Sequence, residues 1–252
     1  MSFVEKKLTT VESVDRSLIK CEVKGSAEIA IVFIHCWCGN RTFWDSQVDY
    51  FSRKYQAVSL DLAGNGESIS KRTNYTMLSF GQDVACVIKQ MNLKKVILVG
   101  HSMGGIVAIE TAKLVDDLIL GIVGVDIFYT SFKYPKTDSE IVAFIKPFEE
   151  DFSKSITKLT HSMFSANNVN STIRNSILDT IVKTDPQMAI SAMYENLLWK
   201  REKENKDLQQ FSKKIRNINA ASTGEENSRH KNTILIPNVG HFIPQVLPQL
   251  FN

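Results

Sequence analysis

The chain has 252 residues, 43% hydrophobic and 23% charged, which is room for one α/β domain with an insertion and ordinary for a globular protein. Its 30 basic and 27 acidic residues leave a net charge of +3, too balanced to suggest nucleic acid or an anionic membrane as partner. No apolar run is long enough to span a bilayer, and residues 1–7 lack the apolar core of a signal peptide, so a cytoplasmic protein is expected.

Residues 9–24 alternate loosely between apolar and polar, and Gly25-Ser26 ends the stretch, which predicts an antiparallel hairpin at a sheet edge. Residues 30–34 are continuously apolar and read as a buried strand that runs into His35-Cys36-Trp37-Cys38-Gly39-Asn40. Within 42–52, Phe43, Trp44, Val48 and Phe51 stand near helical spacing. Residues 57–60 are the next strand, ending in the glycine-punctuated loop Asp61-Leu62-Ala63-Gly64-Asn65-Gly66-Glu67-Ser68. Thr76 is a candidate N-cap for a helix whose apolar stripe is Met77, Phe80, Val84, Val87, Ile88 and Met91.

Residues 96–99 are apolar on both faces and rich in β-branched side chains, as in a buried strand of a parallel sheet. They end in Gly100-His101-Ser102-Met103-Gly104-Gly105, and a helical pattern over 106–112 follows. Another apolar strand, 118–125, ends at Asp126. Strands alternating with helices imply a parallel sheet with helices on both faces, and ligands bind such sheets beyond the carboxyl ends of the strands. His35, Asp61, Ser102 and Asp126 all fall at such ends, which suggests one shared site.

Between Tyr129 and about Gln210 strand signals vanish and apolar residues recur at helical spacing, punctuated by Pro147 and Pro186. A helical insertion lying across the strand ends is expected, with its aromatics and methionines mostly packed internally. The charged run 201–207 reads as a solvated helix end or linker. Residues 215–220 restore a strand, 222–228 are a loop, and 233–236 are the last strand before Pro237-Asn238-Val239-Gly240-His241-Phe242. There are no internal repeats.

Gly-x-Ser-x-Gly between a strand and a helix is a nucleophile elbow: a sharp turn that lifts the Ser102 hydroxyl clear of the backbone. A serine hydroxyl needs a base within hydrogen-bond reach, and the base an orienting carboxylate. Of the five histidines, His35 is expected to bond backbone and His101 to point away from Ser102, while His161 and His230 lie in the insertion and a polar loop. His241, on the loop after the last strand, is the candidate base. Asp126 is the preferred acid because it ends a rigid strand, and Glu225 and Glu226 on the later loop are the alternatives. The backbone N–H groups of Met103 and Trp37 are candidate donors to an oxyanion. Cys21, Cys36, Cys38 and Cys86 suggest buried, reduced thiols; Cys36-Trp37-Cys38 has no second ligand pair at metal spacing, so no metal is expected.

On these motifs the chain resembles the α/β-hydrolase fold superfamily from about residue 29 to its C-terminus. His35-Cys36-Trp37 resembles the family's His-Gly-X oxyanion loop, residues 61–68 its D-x-x-G-x-G-x-S segment, residues 100–105 its G-H-S-M-G-G elbow, and Val239-Gly240-His241-Phe242 its histidine loop. The resemblance implies a mostly parallel eight-stranded sheet with a helical cap, divided here as core 1–128, cap 129–210 and core 211–252. It also implies hydrolysis through a Ser–His–acid triad without metal or organic cofactor. There are two departures. Cys36 replaces the usual glycine, and Ala221 stands at the common acid position, whereas Asp126 matches the variant that carries the acid one strand earlier. The expected function is a serine hydrolase of a small, apolar carboxylic ester; the constellation is shared by esterases, thioesterases, lactonases and carbon–carbon hydrolases. The alternative is a weakly active or inactive ligand-binding receptor on the same scaffold.

Overall fold

The computed structural model describes residues 5–130, 132–164, 169–221 and 230–252. The chain opens with the hairpin β1 (Lys7–Glu12) and β2 (Leu18–Lys24), then β3 (Ile29–Ile34), α1 (Asp45–Phe51), β4 (Gln56–Leu60) and α2 (Met77–Gln90). Next come β5 (Lys95–His101), α3 (Met103–Leu114) and β6 (Ile119–Val125). Among the described residues, five α-helices separate β6 from β7: α4 (Asp138–Glu150), α5 (Phe152–Ser162), α6 (Ser171–Ile181), α7 (Pro186–Glu202) and α8 (Glu204–Gln210). The chain closes with β7 (Ile215–Ala220), β8 (Thr233–Ile236), α9 (Ile243–Val246) and α10 (Pro248–Phe251).

The strands form one eight-stranded sheet in the order β1-β2-β4-β3-β5-β6-β7-β8. Pairing is antiparallel from β1 to β2 and from β2 to β4, and parallel from β4 to β8. Because side chains alternate across a strand, β3 feeds two cores. Ala30, Val32 and Ile34 join the larger one with α2, α3 and the cap helices, while Ile31 and Phe33 join the smaller one with Trp44, Val48 and Ile243. Thr76 caps α2 by accepting from the Ser79 N–H, as its sequence position predicts.

The helix after the elbow begins earlier than the apolar pattern indicates, at Met103 rather than residue 106. Gly104 and Gly105 are poor helix formers and hide its first turn from a propensity reading. They are there for packing: a Cβ on Gly104 would stand 2.4 Å from Ile34 O, and one on Gly105 2.7 Å from Ile127 Cγ2; before the turn, one on Gly100 would stand 2.2 Å from Gly104 O. Of the two prolines that punctuate the insertion, Pro147 lies inside α4 near its end and Pro186 opens α7.

The insertion folds over the sheet as a helical cap. α4 packs on α5 and α7, and α7 reaches α2. Trp199 Nε1 donates to Glu110 Oε1 at 2.5 Å, and Trp37 Nε1 to the Ala189 carbonyl at 2.8 Å, tying α7 to the core. The charged run 201–207 spans the end of α7 and the start of α8 and is half-buried or exposed from 201 to 206, as a solvated helix end would be; Asp207 departs from that expectation, being buried and paired with Lys113 of α3. Among the described residues no helix is long and apolar enough to cross a membrane.

Candidate active site

A cavity of about 380 Å³ lies between the cap and the carboxyl ends of β3, β5, β6 and β7. Ser102, Met103, Trp37, Asp126 and His241 all line it. Ser102 sits between β5 and α3 at φ 53° and ψ −122°, a left-handed conformation that side chains rarely adopt. Its N–H donates to Val125 O at 2.8 Å, and its carbonyl accepts from Gly105 N at 2.8 Å. The turn is thus clamped from both the sheet and the helix. Met103 is the first residue of α3, where backbone N–H groups have no intrahelical acceptor and the helix dipole favours negative charge.

His241 Nδ1 lies 2.5 Å from Asp126 Oδ2. The other carboxylate oxygen of Asp126 accepts from Ala220 N at 3.0 Å, and Asp126 N donates to Ile218 O at 2.9 Å. Asp126 has φ 48°, so the chain turns sharply as it leaves β6 and holds the carboxylate against the end of β7. His241 is held through its backbone. Its N–H donates to Met163 O, just past α5, at 2.8 Å, and its carbonyl faces His101 Nε2 at 2.9 Å. Both side chains of the His241–Asp126 pair are only 16% exposed. Among the described residues no hydrogen bond joins the Ser102 hydroxyl to His241; in substrate-free hydrolases that contact is often long and tightens in the complex.

The other strand-end residues do not share this cavity. His35 is fully buried, with Nδ1 2.7 Å from Cys36 O and Nε2 accepting from Leu62 N at 2.9 Å. Asp61 accepts from Arg41 and from the Glu67 N–H. The single site expected of all four is corrected here: His35 and Asp61 brace the loops after β3 and β4, of which only the first reaches the cavity wall, while Ser102 and Asp126 face it. His101 is buried with its ring edge-on to Trp44, on the smaller-core side and outside the cavity wall. Neither His161 nor His230 lines the cavity; the His230 ring stacks on Tyr129 at 4.0 Å. Glu225 and Glu226 lie outside the described residues. Ala221, at the common acid position, lines the cavity with no group to offer His241.

Cys36 lines the cavity beside Trp37, and burial pushes its thiol up to about 12. The positive φ of this loop falls on Cys38 (58°), not on Cys36, so the backbone at 36 does not require the glycine that the resemblance led one to expect. All four cysteines are free. Among the described residues no group of three His, Cys, Asp or Glu side chains is placed to hold a metal. Asn196, Tyr134 and Thr160 of the cap also reach the wall and escaped the sequence reading. For Asn196 the signal was available: a polar residue between Met193 and Leu197 on a buried helical stripe.

Residues 29–172 match the family model of the alpha/beta hydrolase fold, and the chain belongs to that family. A Haemophilus influenzae protein named "Putative esterase/lipase" is 35% identical over 97 residues, 38% of this chain and 33% of that protein. The matched segment thus spans about a third of that relative. An esterase from Exiguobacterium antarcticum superposes with a TM-score of 0.79 at 19% identity, over 96% of each chain. A thermophilic esterase from Thermogutta terrifontis superposes with a TM-score of 0.77 at 18% identity, over 97% of this chain and 95% of that one.

Proposed function

We propose that this protein is a serine hydrolase that cleaves small, largely apolar carboxylic esters through Ser102, His241 and Asp126. The observation that carries the reading is the 2.5 Å contact between His241 Nδ1 and Asp126 Oδ2 in a cavity that Ser102 also lines. With Nδ1–H donated to Asp126, Nε2 is the basic nitrogen. It takes the Ser102 proton as Oγ bonds to the ester carbonyl carbon, and the carbonyl electron pair moves onto oxygen. The Met103 and Trp37 N–H groups stabilise that oxyanion; one such donor is worth about 3–4 kcal/mol where tested. Collapse expels the alkoxide, which leaves with the proton from His241. Water then repeats the sequence on the acyl-enzyme and releases the acid.

The apolar wall contributed by Phe144, Leu159, Met163, Ile181 and Leu197 supports an aliphatic or aromatic acyl group. The esterase names carried by similar proteins favour esters over other acyl bonds. In this reading residues 129–210 are the cap, residues 1–128 and 211–252 the core, and the protein works in the cytoplasm. The test is turnover of p-nitrophenyl acetate and butyrate, with labelling by a fluorophosphonate. Wild type should turn over and label, and Ser102→Ala should do neither. Equal rates from both proteins would remove Ser102 from the mechanism, and absent labelling would favour the receptor alternative.

A further inference from the structure

Asn196 is a wall residue that the hydrolytic steps do not use and the fold does not satisfy. It sits on α7, is 7% exposed and lines the cavity. Its Oδ1 is buried without a hydrogen-bond partner, and its Nδ2 reaches only Met193 Sδ, at 3.9 Å. Gln47, Asn65, Asn217, Asn219 and Gln245 also bury an unpaired carboxamide oxygen. Each of those five anchors its nitrogen on a backbone carbonyl oxygen: of Pro244, Ala63, Phe128, Phe128 and Phe43 respectively. Among these buried carboxamides of the described residues, Asn196 is the one with neither end on an oxygen or nitrogen. Burying an amide without partners is unfavourable, and its neighbours on the wall, Met193 and Leu197, are apolar. A leucine would fill the position without that cost.

We propose that Asn196 is a specificity-determining residue and that the substrate is a hydroxylated ester, with an aliphatic chain that places a hydroxyl against this carboxamide. The inference rests on the cavity being the ester-hydrolysing site proposed above, and adds the substrate class. A hydroxyl both donates and accepts, so it pairs with the carboxamide in either of its two flips. A plain alkyl chain pairs with neither end and strips water from both, which is how a buried polar group rejects an analogue lacking its partner.

The test compares methyl hexanoate with methyl 3-, 5- and 6-hydroxyhexanoate, following acid release by pH-stat. Wild type should favour at least one hydroxy ester by about tenfold or more in kcat/KM. Asn196→Leu should bring that ratio to about one, and Asn196→Ala serves should the leucine variant misfold. In parallel, calorimetric titration of Ser102→Ala protein with the same esters reads recognition without cleavage. A hydroxyl preference in turnover and binding, lost on substitution of Asn196, supports the proposal. A preference in binding without wild-type turnover also supports it, while overturning the hydrolase reading. Equal treatment of plain and hydroxylated esters by the unsubstituted site overturns it, as does a preference that survives Asn196→Leu.

Discussion

The ring of His101 lies 2.9 Å, Nε2 to O, from the backbone carbonyl of His241, and the two rings are 4.7 Å apart between centroids. Burial drives the His101 pKa well below its ordinary 6.5, with the neighbouring His241 acting in the same direction. A neutral ring facing a carbonyl oxygen carries its proton on Nε2, so His101 donates and leaves its buried Nδ1 without a partner. The residue inside the elbow therefore holds the loop that carries the proposed base.

His101→Phe should keep the shape and lose the donor. We expect kcat on p-nitrophenyl butyrate to fall about tenfold to a hundredfold with KM little changed, the size of effect that misplacing a reacting group by an ångström produces. His101→Gln, whose Nε2 can reach the same carbonyl, should recover most of the loss. Equal losses in both variants would assign the effect to packing.

Asp126→Asn should lower kcat by about 10³ to 10⁴, the cost of a wrongly held imidazole tautomer. Glu225→Gln and Glu226→Gln should stay within about twofold of wild type. Steady-state kinetics on the three variants decides the acid, and the reverse ranking would move the role to the later loop.

Gly104→Ala would place a methyl 2.4 Å from Ile34 O and 2.6 Å from His35 O, both backbone atoms that cannot move aside. Urea unfolding should register a loss of about 4 kcal/mol or more, or the protein should fail to fold. Gly121→Ala is the control: its nearest atom would be Lys214 O at 3.6 Å, an ordinary contact. It should cost less than about 1 kcal/mol.

His35 and His101 are both fully buried, and burial is the first cause lowering both pKa values below 6.5. Below that pH the unfolded chain binds protons that the folded chain refuses. Their contribution is therefore complete above about pH 6.5 and declines as pH falls toward the folded values, by at most about 1.4 kcal/mol per pH unit for each ring. Melting temperature measured from pH 7.5 to 5 should fall, and His101→Gln should fall less steeply. A slope unchanged by that substitution would refute the assignment for His101.

Much of the scaffold was legible along the chain. Continuous apolar runs at β3 and β5 marked buried parallel strands, because only a strand covered on both faces can be apolar on both. The elbow was legible because two glycines flank a serine where any side chain would strike backbone. Less legible were features that depend on what packs against them. Asp207 looked like a solvated charge until Lys113 of α3 was found beside it, and Asp61 looked like a member of the site until its contacts with Arg41 and the Glu67 N–H were seen.

By itself the sequence determined the parallel sheet, the cap and the strained serine turn, since each rests on local periodicity or on steric need at adjacent residues, while its motifs carried the resemblance to the family. Only the tertiary structure decided that Asp126 meets His241, 115 positions away, that His101 holds that loop, and that Asn196 stands unpaired in the wall. Those are distances between residues far apart in the chain, and periodicity carries no information about which side chains close packing will bring together or leave without a partner.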